Sequence, residues 1–376
     1  MLKQLFLIFV SLFMINAAQG QSKEIIYVGT YSVRGSEGVY VFEFDRSKGT
    51  LQPLQTIASA KSPSFLAIHP SQKFLYSVNE GAPESGGVSS FSIDPKTGKL
   101  TLMNQESSRG KGPCHISIDQ TGKLAFVSNY GGGRFTVLPI ASDGKLETAT
   151  DSLSYTGSGP NTKRQEKPHI HSATVSPDNR FVYVADLGTD RLYIYEIDQA
   201  GKTVKPASTP YATVSPGSGP RHMTFHPNGK YVYLVEEMTS SVAVFTRDAK
   251  TGALTLIQDN VKSLPSSFTG DNNTSADIHT DPAGRFLFMS NRGHNALAIF
   301  SIAKDGKLTL VGDQSSGGKT PRNFLVDPKG EYVFAANQDT DNIVVYKMDS
   351  KTGKLTPTGT EVKVPAPVCV KLMSLK

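Results

Sequence analysis

A short turn phrase returns six times along this chain, and its recurrence limits the fold more than any other feature. The copies are Pro70-Ser71-Gln72-Lys73-Phe74, Gln120-Thr121-Gly122-Lys123-Leu124, Pro177-Asp178-Asn179-Arg180-Phe181, Pro227-Asn228-Gly229-Lys230-Tyr231, Pro282-Ala283-Gly284-Arg285-Phe286 and Pro328-Lys329-Gly330-Glu331-Tyr332. In most of them Pro presets φ, and Gly or Asn supplies a left-handed position, as a tight turn demands. Each copy leads into an apolar, β-branched and aromatic run such as Phe181-Val182-Tyr183-Val184-Ala185. Short runs bounded by turn signals read as strands buried on both faces.

A second turn phrase follows further along each unit. Its glycines are Gly49, Gly98, Gly144, Gly201, Gly252, Gly306 and Gly353, spaced 46 to 57 residues apart. Another strand precedes each, such as Asn342-Ile343-Val344-Val345-Tyr346. A unit thus holds about four strands in roughly fifty residues, the size of a propeller blade. No segment keeps a helical period over three turns, which counts against a helical repeat. Composition agrees: charged residues are 19%, and 34 Gly with 22 Pro mark many turns. That excludes a coiled coil and a charge-driven disordered chain.

The six first turns and seven second turns differ by one, and the termini explain the difference. Pro367-Val368-Cys369-Val370-Lys371-Leu372 matches the start of a unit, and Ile25-Ile26-Tyr27-Val28-Gly29 matches the strand that should follow it. The expected architecture is all-β: a seven-bladed β-propeller over residues 21–376, with N- and C-terminal strands paired in one blade. Such closure leaves few exposed sheet edges.

Lys3, the apolar run Leu5–Ile15 and the small residues Ala17, Ala18 and Gly20 read as a secretory signal peptide over residues 1–20. The run is short of the ~20 apolar residues a membrane span needs. Export to the periplasm or medium is expected, with no membrane attachment after cleavage. The net charge is +6, without a Lys/Arg stripe of the kind nucleic acid requires. Two cysteines exclude a disulfide framework. Cys114 and Cys369 fall on inner strands separated by a whole blade, a poor geometry for a disulfide.

Aligning the units places the polar residues in rings. The start of each inner strand carries Ser64, Cys114, His171, Arg221, Ala276, Arg322 and Val368, followed by Phe65, His115, Ser172, His222, Asp277, Asn323 and Cys369. The second strands end at Thr30, Asn79, Asn129, Asp186, Glu236, Asn291 and Asn337, and the next residues include Glu80, Glu237 and Arg292. Antiparallel neighbours set one strand's start beside the next strand's end. One mouth of the channel is therefore expected to collect Arg221, Arg292, Arg322, His115, His171, His222, Glu80, Glu236 and Glu237. The long connections Ser152–Lys167 and Val261–Thr274 fall there too, as loops that wall a site do. Converging arginines point to a small anionic molecule, since guanidinium forks suit phosphate and carboxylate.

The phrases Tyr27-Val28-Gly29-Thr30-Tyr31, Gly112-Pro113-Cys114-His115, Pro168-His169-Ile170-His171, Gly219-Pro220-Arg221-His222, Ser290-Asn291-Arg292-Gly293-His294 and Thr320-Pro321-Arg322-Asn323-Phe324 carry a resemblance. Through them the chain resembles the propeller-type 6-phosphogluconolactonases, a family similar in turn to the fungal carboxy-cis,cis-muconate cyclases. The resemblance implies hydrolysis of a sugar lactone on a seven-bladed propeller, with no bound metal or other cofactor. It also implies a site built from a His, two Arg and a Glu, matched here by His171 (or His169), Arg221, Arg292 and Glu237.

Opening a lactone needs an activated water and a stabilised oxyanion. His171 is the candidate base, with Glu237 as substitute or as its orienting partner. Arg221 and Arg292 are candidates for holding the oxyanion, and Arg322 for a phosphate. His115, His169, His222 and Asn323 are further candidates for substrate binding. The expected partner is an anionic lactone, 6-phosphogluconolactone or a related aldonolactone, acted on by a monomer or weak dimer. An export signal fits a cytoplasmic phosphorylated lactone poorly, so the reaction class is the firmer expectation. A lactone-forming cycloisomerase and a non-catalytic ligand-binding propeller are the alternatives.

Overall fold

Strands that follow one another in the chain pair antiparallel, and the pairing closes after every fourth strand. The result is seven four-stranded sheets. The computed structural model describes residues 23–58, 61–82 and 86–375, and the expected signal segment lies outside them. Among the described residues there are 28 strands and no helix. No helix is therefore long and apolar enough to cross a membrane.

The blades stand around a central channel, each presenting its innermost strand to it. Those strands are Leu66–Ile68, Pro113–Ile118, Ile170–Val175, Pro220–Phe225, Thr274–Thr280, Pro321–Val326 and Pro367–Ser374. The last closes the ring as the termini implied: it pairs with Glu24–Thr30, setting Glu24 opposite Ser374 and Val28 opposite Val370. Glu24–Thr30 is buried along its whole length and needs a neighbour on each side. Arg46 ties the seam to the preceding blade, with Nε 2.7 Å from Glu24 and Nη1 2.9 Å from Glu331.

The apolar core lies between blades rather than at the centre. Phe181 and Tyr183 of one blade pack with Val232, Leu234 and Phe245 of the next. Tyr233 and Val235 pack with Leu287, Met289 and Phe300. Each such side chain, fully buried, is worth about 1.5–3 kcal/mol. The two repeated phrases meet at these seams. The hydroxyl of Tyr27 donates to the Gly98 carbonyl at 2.8 Å, and that of Tyr76 to the Gly144 carbonyl at 2.9 Å. Gly252 shows why the second phrase ends in glycine: its φ is +75°, and an added Cβ would stand 2.6 Å from the Phe181 ring.

A recurring irregularity positions the site. The pairing register slips at the start of six inner strands: between Pro113 and His115, Ile170 and Ser172, Pro220 and Met223, Ser275 and Ile278, Pro321 and Asn323, and where Gly29 and Thr30 face the last strand. Cys114, His171, Arg221, Ala276, Arg322 and Val368 all fall inside these bulges. A bulge inserts an unpaired residue and re-aims its side chain.

Candidate active site

The bulges divide the channel into two compartments. One, of about 270 Å³, is lined by Cys114, His171 and Arg322 from the bulges, with Glu80, Glu237 and Arg292 from the strand ends. Tyr130, Thr274 and Arg164 complete its wall. Arg221 is buried against it and reaches the same carboxylate.

Glu237 is the hub. Its Oε1 accepts from Arg164 Nη2 at 2.7 Å and stands 3.3 Å from Arg292 Nη2, while its Oε2 is 3.0 Å from Arg221 Nε and 3.9 Å from His171 Nε2. Burial pushes the Glu237 pKa up, but Arg292, Arg221 and Arg164 outweigh it and hold it at about 2. Arg221 Nε is near the carboxylate without being aimed at it, and Arg221 and Arg292 each keep a buried Nε–H with no protein acceptor. Burial lowers the Arg292 pKa to about 9, which leaves it charged at neutral pH. Arg322 lies with its guanidinium 5.3 Å over the Tyr31 ring. Burial works against its charge, but Tyr31, Glu80 and Glu237 overcome that and raise its pKa.

His171 is buried, and that burial, followed by the Arg221 charge, holds its pKa well below the usual value. The imidazole is neutral at pH 7. Cys114 donates its thiol hydrogen to the His171 carbonyl at 3.3 Å, and burial raises the thiol pKa, so no thiolate forms. Four guanidinium groups face two carboxylates, a positive surplus that draws an anion or a developing oxyanion.

The structure brings His171, Glu237, Arg221, Arg292 and Arg322 together. It corrects the expectation of a single mouth for the remaining candidates. His115 and His222 line the opposite compartment with Asp277, because each follows a residue aimed at the first compartment and successive strand residues turn to opposite sides. Asn323 lies with them: its Nδ2 donates to Asp277, and its Oδ1 accepts from the Val370 amide at 2.7 Å. His169 stands behind the wall, stacked on Tyr130 at 4.4 Å, with Nδ1 3.1 Å from the Tyr130 carbonyl. Glu236 points into its own blade, where Ser241 donates to it at 2.7 Å. Arg164 and Tyr130 stand outside the candidate list, although the long loop that carries Arg164 is the one expected over this mouth. Arg164 belongs to the long loop and has no repeat-equivalent position, so unit alignment gives it no signal. Tyr130 holds the ring position after a strand end, the one signal available for it. Among the described residues, no group of three or more His, Cys, Asp or Glu is placed to hold a metal ion. Both cysteines are free.

The family model described as Lactonase, 7-bladed beta-propeller, matches residues 25–372. The chain belongs to this family. It is 38% identical over 353 residues to a 6-phosphogluconolactonase of Bacillus subtilis, covering 94% of this chain and 99% of the relative. A 6-phosphogluconolactonase of Formosa agariphila is 36% identical over 349 residues, 90% of this chain and 96% of the relative. Among solved structures, the periplasmic gluconolactonase of Pseudomonas aeruginosa superposes with a TM-score of 0.88 at 31% identity, covering 94% of this chain and all of that one. These relatives, named for lactone hydrolysis, share the whole of the lactonase-family propeller.

Proposed function

We propose that this lactonase-family chain hydrolyses an aldono-1,5-lactone in the Glu237 compartment. One observation carries the reading: Glu237 fixes three guanidinium groups beside a neutral His171, and two of them keep buried N–H donors without a protein acceptor. That arrangement suits a carbonyl oxygen that becomes an oxyanion.

In the proposed reaction His171 accepts a proton from water as the water oxygen bonds to the lactone carbonyl carbon. The arginines hold the resulting oxyanion. Collapse breaks the ring C–O bond, and the imidazolium returns its proton to the departing alkoxide. The product is the open hydroxy acid, which ionises to a carboxylate. Glu237 is too weak a base for this work at a pKa of about 2. It orients the arginines and stabilises the imidazolium. An anionic substrate that neutralises Arg221 and Arg322 relieves the charges that depress His171, and so strengthens the base where it is needed.

The positive surplus supports an anionic substrate such as 6-phosphogluconolactone, with Arg322 or Arg164 on the phosphate. Export, read from residues 1–20, supports an unphosphorylated lactone instead, as does the name of the Pseudomonas aeruginosa structure. The test is turnover of 6-phosphogluconolactone and glucono-1,5-lactone against spontaneous opening, with His171→Ala, Glu237→Gln and Arg221→Ala. A loss of ~10²-fold or more in kcat is expected for each variant. Unchanged rates in all three would remove the site assignment. The preferred lactone is the one with the higher kcat/KM. Mass determination of the exported chain checks cleavage at Gly20–Gln21.

A further inference from the structure

Glu80 and Glu237 hold the same position in different blades, shortly after the second strand, and both line the compartment of about 270 Å³. Their partners differ. Glu237 is surrounded by Arg164, Arg221 and Arg292. Glu80 receives hydroxyls instead: Ser64 donates to its Oε2, and Tyr31 donates to its Oε1 at 3.4 Å. Among the described residues no cation stands within ion-pair distance of it. A carboxylate accepts about four hydrogen bonds, so Glu80 keeps acceptor sites that the protein does not use.

Arg322 belongs to the same wall. Its guanidinium lies 5.3 Å over the ring of Tyr31, the residue whose hydroxyl reaches Glu80. Among the described residues it makes no hydrogen bond or ion pair, with Glu80 or any other group. An acceptor and a donor are thus held through one tyrosine, beside one cavity, and left unpaired with each other. That combination discriminates between ligand groups. A phosphate would satisfy Arg322 but meet the like charge of Glu80. An apolar group would leave both unsatisfied. A hydroxyl donates and accepts, and neighbouring hydroxyls on a carbon chain can give a hydrogen to Glu80 and take one from Arg322. The three arginines around Glu237 remain for the oxyanion.

We propose that Glu80 and Arg322 form a polyol subsite that selects an uncharged polyhydroxy lactone over its phosphate ester. Glu80 determines the specificity: it takes hydroxyl hydrogens and repels a phosphate. The inference rests on the lactonase reading of this compartment. It is tested by the turnover of glucono-1,5-lactone and 6-phosphogluconolactone, each corrected for spontaneous opening. The native chain should show a kcat/KM at least tenfold higher for glucono-1,5-lactone. Glu80→Gln keeps the side-chain volume and removes the charge. It should raise KM for glucono-1,5-lactone, raise kcat/KM for 6-phosphogluconolactone, and move their ratio at least tenfold toward the phosphate ester. Tyr31→Phe keeps the ring beneath Arg322 and removes the hydroxyl that steadies Glu80, so it should move the ratio the same way by less. A purely structural role would lower both substrates alike. If Glu80→Gln does not fold, the ratio in Tyr31→Phe decides. A native preference for the phosphate ester, or a ratio unmoved in a folded variant, overturns this inference and leaves the lactonase reading standing. No turnover of either lactone removes both.

Discussion

Glu236 and Glu237 are adjacent in sequence and live in opposite electrostatic surroundings. Successive strand residues face opposite sides. Glu237 turns to the channel and its arginines, while Glu236 turns into the blade, where burial raises its pKa to about 7. The two therefore bend stability with pH in opposite directions. Glu237 has its folded pKa depressed from 4.5 to about 2, so its contribution is full above pH 4.5 and is lost as pH falls toward 2. That contribution is of order 3 kcal/mol at neutral pH. Glu236 has its folded pKa raised from 4.5, so the fold loses stability as pH rises from 4.5 to about 7. Glu237→Gln should flatten the acid limb of a plot of Tm against pH. Glu236→Gln should flatten the decline toward pH 7 and raise Tm at pH 8. An unchanged profile for either variant would contradict the assigned environment. His171 makes a kinetic prediction at the same scale. With its pKa held below 6.5, kcat/KM should stay level from pH 8 to 6.5 and fall only at lower pH. Repeat alignment made Glu237 legible as the residue after a strand end. It placed Glu236 in the same mouth because alignment registers position, not the direction of a side chain.

At the scale of elements, the turns and strands were legible because their chemistry is local. Proline, glycine and a β-branched run announce a hairpin whatever lies around it. The seams use the same residues twice, once for the turn and once to seat a neighbour. Gly252→Ala combines a left-handed backbone with a clash on Phe181 and should cost about 2–4 kcal/mol in denaturant unfolding. Tyr27→Phe removes only the hydroxyl that reaches Gly98 and should cost about 1–2 kcal/mol. If Gly252→Ala costs no more than Tyr27→Phe, the seat is looser than described. The bulges were not legible. They exist only in the register between two strands, and a one-residue slip redirects every side chain beyond it. His115, His222 and Asn323 leave the mouth to which their neighbours Cys114, Arg221 and Arg322 point because successive residues of a strand turn to opposite sides. Arg164 escaped for a different reason: its loop follows no repeat, and its place is set by Glu237 and Tyr130 across the channel.

The whole molecule is a ring whose stability depends on closing. Each blade buries its faces only against its neighbours, and the strand Pro367–Ser374 completes the last contact. Deleting residues 367–376 uncovers a strand, Glu24–Thr30, that is buried throughout. The truncated chain should lose its cooperative thermal transition and associate through the exposed edge, as read by calorimetry and size-exclusion chromatography. A monomer with native Tm would show the closure to be dispensable. The sequence by itself determined the blade repeat, the number of blades, the pairing of the termini and the arginine-rich character of one end, because each is a matter of local periodicity or of counting. Tertiary structure alone decided which end of the channel each ring residue faces, and that Arg164 meets Glu237 there. Those outcomes depend on strand register and on contacts between blades far apart in the chain, and such contacts leave no periodic trace in the residues that make them.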